Sequence, residues 1–231
     1  MALQIYDQLL QFPLFLGMSR DDLSQVAAHT KFDFVKEEEA DKVLIGNDTA
    51  CTGLCLLLTG TVCVETRSDD GSYTLTEQLT APVILQPEAL FGYRQRYTHT
   101  FRTMTAVSVL RLERREVFRL TEEFLIFRIN LLNLLATQAQ KKLHQPWRRR
   151  PENLEDRLVR FVADRCLHPA GPKTLRILMT QLAAEVGDSR LDVSHALNAL
   201  QDKGLLTLHR GRIEIPHMEH LLNRNSVQPT E

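Results

Sequence analysis

Ser189 and Asp192 stand three residues apart at the start of a segment rich in polar side chains. In this S-x-x-D spacing the serine hydroxyl can accept a hydrogen bond from the backbone N–H three residues later, which begins a helix. The exposed face of that helix would carry five polar side chains: Ser189, Arg190, Ser194, His195 and Asn198. The N-terminal residues of a helix in the DNA major groove reach the base edges, and arginine pairs with guanine there. The spacing therefore indicates DNA as a ligand.

Two helices and a hairpin are needed to position this face. Thr180 is placed to cap a first helix over QLAAEVG, Gly187 supplies the turn, and Lys203-Gly204 ends the second helix. LLTLH and RIEI are then two strands around Arg210-Gly211, which would form a wing. The prediction is a winged helix-turn-helix, and the alternative is a helical hairpin with a solvated polar face. The predicted DNA-binding residues are Thr180, Gln181, Ser189, Arg190, Ser194, His195, Asn198 and Arg210.

Residues 31 to 114 have the pattern of a β domain. Short runs rich in valine, leucine, threonine and aromatic residues alternate with turn residues, as in KVLIG, LCLLL, TVCVET and VLRLE. LLLTGTVCV is typical of a tight hairpin around Gly60. A short helix precedes the strands, with Ser19 as its N-cap and Asp21 and Asp22 in its first turn. An all-β sandwich or barrel is predicted for this part of the chain.

A long helix is predicted from Glu116 to His144. Its first apolar stripe follows a/d spacing over nearly three heptads and consists of Leu125, Ile129, Leu132, Ala136, Ala139 and Leu143. A second stripe consists of Phe124, Phe127, Leu131 and Leu134. One stripe can cover the β domain, and the simplest cover for the other is the same helix of a second copy. The alternative is a helix buried within one large domain. Pro146 ends the helix, PWRRRP forms a basic break, and a further helix is predicted from Glu152 to Cys166.

Composition excludes several classes of protein. Apolar residues make up 43% and charged residues 25% of the 231, as in ordinary globular chains. No apolar run approaches the ~20 residues of a membrane helix, and no signal-peptide pattern is present, so a soluble cytoplasmic protein is expected. Residues 1–140 carry 13 Lys+Arg and 18 Asp+Glu, whereas residues 141–231 carry 15 and 11, so the basic excess lies with the predicted helix-turn-helix. No nucleophile–base set, phosphate loop or metal spacing indicates an enzyme.

The chain resembles the Crp/Fnr family of bacterial transcription regulators over nearly its whole length. PLFLGMSRDDLSQVA is similar to the family's opening helix, VLIGNDTACTGLCLLLTGTVCV to its β-roll and PEALFGYRQRYTHTF to its effector cassette. The helix ending at Leu143 is similar to its dimerisation helix, and DSRLDVSHALNALQDKGLL to its recognition helix. The resemblance implies an α+β fold with a cyclic-nucleotide-binding-like β-roll over 1–120, a dimerisation helix over 121–145, a hinge over 146–150 and a winged helix-turn-helix over 151–231. It also implies a homodimer that responds to an effector and binds a pseudo-palindromic promoter site in double-stranded DNA. RNA polymerase would be a partner if the protein is an activator.

The effector cassette departs from that of the cyclic-AMP receptors. Those carry a Gly-Glu pair, whose carboxylate holds the ribose hydroxyl, and an Arg-Ser or Arg-Ala pair, whose arginine binds the cyclic phosphate. Here the two pairs are Pro87-Glu88 and His99-Thr100, so the predicted effector pocket of Glu88, His99 and Thr100 lacks the arginine. Because neutral histidine replaces a permanent bidentate cation poorly, cyclic AMP is not the expected effector. Any phosphate affinity is expected to grow as His99 gains its proton near pH 6.5. Three nearby arginines, Arg94, Arg96 and Arg102, leave another anion open.

The positions of the cysteines, histidines and recognition residues bear on the other cofactors and functions of the family. The family's iron–sulfur branch uses an N-terminal cysteine cluster, whereas the first cysteine here is Cys51, so a cluster is not expected and no metal site is predicted. A haem role for His29 or His99 stays open. The family's Arg-Glu-Arg recognition pattern becomes Arg190, Leu191 and His195, so the half-site should differ from the common TGTGA type. The alternative to a DNA-binding regulator is a ligand-binding module whose helix-turn-helix binds protein, and an enzyme is a third reading.

Overall fold

The computed structural model describes residues 2–224 and confirms an α+β fold. Its helices are α1 (Ala2–Leu9), α2 (Arg20–His29), α3 (Arg114–Glu123), α4 (Leu125–His144), α5 (Leu154–Ala163), α6 (Met179–Val186), α7 (Arg190–Asp202) and α8 (Met218–Leu222). Its strands are β1 (Phe32–Glu37), β2 (Val43–Ile45), β3 (Gly53–Thr59), β4 (Thr61–Arg67), β5 (Tyr73–Thr80), β6 (Val83–Leu85), β7 (Thr100–Thr103), β8 (Val107–Glu113), β9 (Lys173–Ile177), β10 (Thr207–His209) and β11 (Arg212–Ile215). No helix within residues 2–224 is long and apolar enough to cross a bilayer.

The chain forms two compact units. The first contains residues 1–62 and 79–146, and the second contains residues 63–78 and 147–231. The hairpin of β4 and β5 therefore contributes most of its length to the second unit, although it lies between strands of the first along the chain. The chain passes from one unit to the other at three places, after residues 62, 78 and 146.

The first unit is built on an antiparallel sheet with the strand order β1-β8-β3-β6, and β2 pairs with β7. Residues Leu54 to Leu58 of β3 are all buried, which explains their unbroken apolar run. The predicted Ser19 cap is confirmed, since its hydroxyl accepts a hydrogen bond from the Asp22 N–H at 3.1 Å.

The tight turn predicted at Gly60 joins β3 to β4 and provides a test of the packing. Gly60 has φ of +88°, and a Cβ there would lie 2.3 Å from the Ala106 carbonyl oxygen. Gly92 has a similar φ of +79° with no atom within 4 Å of such a Cβ. Gly92→Ala should therefore cost only the left-handed strain of ~1–2 kcal/mol, whereas Gly60→Ala should cost clearly more because the carbonyl must move. Urea unfolding of both variants measures the difference, and equal costs would contradict this account.

The prediction of one long helix from Glu116 to His144 is wrong. Phe124 has extended backbone angles, φ −119° and ψ 105°, and separates α3 from α4. The periodicity continues across the break because the side chains of Phe124 and Phe127 are both buried. Tertiary burial of Phe124 thus interrupts a helix whose apolar pattern is continuous.

The two apolar stripes of the α4 region have different surroundings. Phe127 of the second stripe packs on Phe15 with ring centroids 5.4 Å apart, and Leu131 is also buried. Between them, the Asn130 amide donates to the carbonyl oxygens of Leu14 at 3.1 Å and Leu16 at 2.8 Å. All members of the first stripe are exposed, with Leu132 at 60%. Only one stripe is therefore covered within the first unit.

The second unit is a winged helix-turn-helix whose sheet has the order β10-β11-β9-β5 with β4 beside β5. Its core contains α5, α6, α7 and α8, with Leu158, Val193, Leu197 and Ile215 among its buried residues. The helix predicted from Glu152 to Cys166 is shorter at both ends. It begins after Asn153, whose side chain accepts a hydrogen bond from the Glu155 N–H at 2.9 Å, and ends at Ala163.

Candidate nucleic-acid interface

The turn between α6 and α7 has the predicted chemistry. The Ser189 hydroxyl accepts a hydrogen bond from the Asp192 N–H at 3.1 Å and donates to Asp192 Oδ2 at 2.6 Å. Gly187 ends α6 in the left-handed region, with φ of +66°. The prediction that Thr180 caps α6 is wrong, because the helix begins at Met179 and Leu178 occupies the N-cap position without a side-chain hydrogen bond. Thr180 instead lies exposed in the first turn.

Arginines from outside the helix-turn-helix support this turn. Arg150 donates from Nη2 to the Val186 carbonyl oxygen at 2.7 Å, and a Cβ at Gly187 would lie 2.4 Å from the same nitrogen. The Arg157 guanidinium pairs with the Asp188 carboxylate. Neither contact could be predicted from the sequence, because Arg150 belongs to a run that is equally typical of a solvated basic hinge and Arg157 lies 31 residues before Asp188.

The structure exposes most of the predicted DNA-binding side chains. Ser189, Arg190, His195 and Asn198 lie on the exposed face of α7, and Ser194 is half-buried beside them. On the opposite face Val193, Leu197 and Leu200 are buried. Gln181 on α6 is half-buried and donates to Glu185 Oε1 at 3.1 Å, and Arg210 is exposed in the wing.

The arginines of this unit fall into two classes. Eight of those between residues 148 and 224 contact carboxylates or carbonyl oxygens of the chain: Arg148, Arg149, Arg150, Arg157, Arg160, Arg165, Arg212 and Arg224. The side chains of Arg190 and Arg210 make no hydrogen bond or ion pair with any residue that the structure describes, and neither does that of Arg176 on β9. Helix α7 and the wing thus each carry a guanidinium without a partner among the described residues, while Arg148, Arg149 and Arg150 contact other groups of the chain.

The predicted effector residues lie around the 3₁₀ turn Pro87–Leu90 and the start of β7. Desolvation raises the pKa of the Glu88 carboxyl, an effect that the positive charge of Lys142 partly offsets. Desolvation, with a smaller effect from Lys142, lowers the pKa of His99 to about 4. The expectation that His99 gains its proton near pH 6.5 is therefore corrected, since the ring is neutral at physiological pH. The Thr100 hydroxyl accepts a hydrogen bond from the Asn47 N–H at 3.2 Å.

The three arginines near the cassette are paired with acidic side chains. Arg94 and Arg96 lie 3.2 Å and 3.6 Å from the Asp48 carboxylate oxygens, and Arg102 lies 3.7 Å from Asp41. All three are surface pairs, whose energies are small. An incoming phosphate would therefore compete with carboxylates for each of these cations.

Two of the cysteines, Cys51 and Cys55, are almost inaccessible to solvent. Burial raises the pKa of the Cys55 thiol to about 12. Cys63 and Cys166 are partly exposed. Within residues 2–224 no group of three or more His, Cys, Asp or Glu side chains is arranged to hold a metal ion.

The depressed pKa of His99 predicts how stability changes with pH. The unfolded chain binds a proton on this ring below about pH 6.5, whereas the folded chain binds it only near pH 4. The contribution of His99 to the free energy of unfolding is therefore complete above pH 6.5 and is lost as the pH falls toward 4. The urea midpoint of wild type should fall more steeply over this range than that of His99→Gln, which retains Glu88 and Lys142. Parallel curves for the two proteins would show that the ring titrates alike in both states.

Comparison with known proteins agrees with this architecture. The cyclic nucleotide-binding domain model matches residues 35–124, and the Crp-like helix-turn-helix domain model matches residues 156–224. A transcriptional regulator of the Crp/Fnr family from Eubacterium rectale superposes with a TM-score of 0.51 at 17% identity, over 94% of this chain and 99% of its own. The sensor domain of the regulator DNR from Pseudomonas aeruginosa gives a TM-score of 0.50 at 16% identity, over 63% of this chain and 92% of its own. No curated protein matches in sequence.

The two family models together span more than half of the chain, with the cyclic nucleotide-binding domain preceding the helix-turn-helix domain. The solved structures share the fold of this chain. The chain therefore belongs to the Crp/Fnr family of transcription regulators, with a cyclic-nucleotide-binding-type domain followed by a Crp-like helix-turn-helix.

Proposed function

We propose that the protein is a homodimeric, effector-responsive regulator that binds a pseudo-palindromic DNA site through α7 and the wing. The observation that carries this proposal is the contrast between the arginines. Arg190 and Arg210 have no partner among the described residues, whereas the hinge arginines contact the chain itself. A guanidinium at the start of a recognition helix is suited to a guanine edge, and one in a wing is suited to a phosphate.

The exposed stripe of α4 supports the dimer. Leu125, Ile129, Leu132 and Leu143 are large apolar side chains that face solvent on one helix. Their a/d spacing is that of a seam between two helices. A two-fold dimer would cover both copies of the stripe at once, because an isologous interface uses the same patch on both subunits. Two recognition helices related by that axis would then meet two half-sites one helical turn apart.

Arg190 is proposed to read a base and Arg210 to bind the backbone, with Thr180, Gln181, Ser189, Ser194, His195 and Asn198 completing the contact surface. Leu191 follows Arg190 in the first turn of α7 and is 64% exposed. An apolar side chain cannot accept a hydrogen bond from cytosine as an acidic one does. The half-site is therefore proposed to differ from the TGTGA type.

A gel-shift or footprinting experiment on the DNA upstream of the protein's own gene tests the proposal. Protection of two half-sites with dyad symmetry, at a centre-to-centre spacing of about one helical turn, is the expected result. Equal affinity and equal salt dependence for the upstream DNA and for random DNA would instead favour the second function, in which the helix-turn-helix contacts another protein.

Cyclic AMP is not the proposed effector. The predicted pocket contains the acidic side chain of Glu88, His99 is neutral at pH 7.5, and the neighbouring arginines are paired with Asp48 and Asp41. We therefore expect titration calorimetry to detect no binding of cyclic AMP or cyclic GMP at this pH. A micromolar Kd that His99→Ala leaves unchanged would contradict this expectation. Arg94→Ala and Arg102→Ala would then identify which arginine leaves its aspartate to bind the phosphate.

A further inference from the structure

The hairpin of β4 and β5 belongs, by its contacts, to the helix-turn-helix unit. Residues Tyr73 to Glu77 of β5 pair with all of β9 in antiparallel register, from Tyr73 opposite Ile177 to Glu77 opposite Lys173. On its other edge β9 pairs with β11 of the wing. One strand of the hairpin thus lies in the same sheet as the wing, although neither family model assigns it there.

Side chains of β5 complete the core of this unit. Leu75 is 1% exposed and belongs to the same buried cluster as Leu158, Leu175 and Ile213. The Tyr73 ring lies 5.5 Å from that of Phe161, and its hydroxyl accepts a hydrogen bond from Arg165 Nε at 2.8 Å. The Arg165 guanidinium itself stacks 3.7 Å above Phe161. Removal of β5 would therefore open the core as well as the sheet edge.

A buried ion pair lies at one end of this strand pair. Glu77 Oε1 is 3.2 Å from Lys173 Nζ, and both side chains are 0% exposed. The Glu77 carboxylate also accepts hydrogen bonds from the N–H groups of Leu167 at 2.8 Å and His168 at 3.4 Å. Lys173 donates in addition to the Ala170 carbonyl oxygen at 2.7 Å. Lys173 thus has its counter-charge, and the Glu77 carboxylate its hydrogen-bond donors, only when β5 is in place.

The ion pair favours the observed strand register over registers that are shifted by one or two residues. A slip of one residue would turn Leu75 and Glu77 to the opposite face of the sheet. A slip of two residues would keep the faces but separate Glu77 from Lys173, leaving two buried charges without partners. Buried ion pairs add little stability over an apolar pair of similar volume, and fixing register is their best-attested use.

We propose that the hairpin is an integral part of the DNA-binding unit and that Glu77 and Lys173 are positioning residues, which fix the register of β5 on β9. Their effect on DNA is indirect, since β9 leads through Leu178 into α6 and pairs with the wing. This last step rests on the proposed DNA-binding function, whereas the register itself does not.

Cysteine pairs in the full-length chain test the register directly. Thr74 lies opposite Arg176, so Thr74→Cys with Arg176→Cys should form a disulfide, whereas Thr76→Cys with Arg176→Cys reports a slip of two residues. Cys63→Ser and Cys166→Ser remove the partly exposed native thiols. We expect peptide mapping to find the first crosslink and not the second. Absence of the first crosslink would overturn the docking of the hairpin.

The role of the ion pair is tested by replacing one or both charges. Lys173→Met alone should raise the unfolding equilibrium constant by roughly 150- to 5,000-fold, because it leaves a buried carboxylate unpaired. Glu77→Leu with Lys173→Met should restore the fold, yet should allow the crosslink between positions 76 and 176 to form. A double variant that remains strictly in register would overturn the positioning role.

The DNA readout separates this inference from the proposed function. In the double variant we expect the ratio of specific to random DNA affinity to fall while binding to random DNA is retained. If wild type shows no specific site at all, the proposed function fails and the crosslinks still decide the register. If wild type is specific and the slipped variant is equally specific, the positioning role fails.

Discussion

Leu132→Glu is expected to leave the chain folded and monomeric and to reduce its affinity for a palindromic site by at least ~100-fold. Leu132 lies at the centre of the exposed α4 stripe, so in a two-fold dimer the two glutamates would be buried near each other without partners. Each half-site would then have to bind one monomer independently. Multi-angle light scattering gives the mass, and fluorescence anisotropy on the footprinted site gives the affinity.

Asn133→Glu is the matched control for this prediction. Asn133 adjoins Leu132 on the same helix, is exposed, and lies outside the a/d stripe. It introduces the same charge and should leave both mass and affinity close to those of wild type. If Leu132→Glu remains dimeric at micromolar concentration, the dimer interface does not involve the first stripe and the pseudo-palindromic arrangement must arise from another surface.

Arg190→Ala should weaken binding to the specific site by about 5- to 150-fold, the effect of 1–3 kcal/mol, and should relax preference at one base pair of each half-site. The guanidinium has no partner among the described residues, so its removal leaves none of their carboxylates or carbonyl oxygens without a hydrogen bond. The fold should therefore be unaffected. Competition against sites substituted at each position identifies the base pair concerned.

Two other arginines serve as controls for Arg190. Arg210→Ala should weaken specific and random DNA alike and reduce the salt slope by about one unit, as expected for a phosphate contact. Arg149→Ala should change little, since this exposed hinge side chain pairs with Glu152. Equal loss of specific and random binding in Arg190→Ala would reject its assignment to a base.

The helix-turn-helix is the part that the sequence predicts best, because its signals are local. Ser189 with Asp192 and the glycines at 187, 204 and 211 each specify a cap or a turn within a few residues. The wing follows from the same kind of signal. The exposed face of α7 is then fixed by helical periodicity alone, so the candidate contact residues were within reach.

Strand β9 and its pairing with β5 could not be predicted from the sequence. KTLRI begins with a lysine that is completely buried, which contradicts the usual pattern, and its partner strand is about 100 residues earlier in the chain. The break at Phe124 has a similar cause, since apolar spacing runs through it and only burial interrupts the helix. In the effector region the sequence identifies Arg94 and Arg96 as possible anion-binding side chains. It does not predict that both pair with Asp48, which is more than 40 residues earlier in the chain.

The three passages of the chain between its two units bear on how such a regulator can be re-engineered. A chimera joined within residues 146–150 would graft a foreign sensor onto a helix-turn-helix whose β9 still carries Lys173, opposite a hairpin that comes from another protein. Transplanting residues 63–78 together with residues 147–231 would keep the two strands cognate. Recombination at a single linker, the simplest route by which modular proteins diversify, should therefore be disfavoured here, and functional hybrids should require two coordinated exchanges.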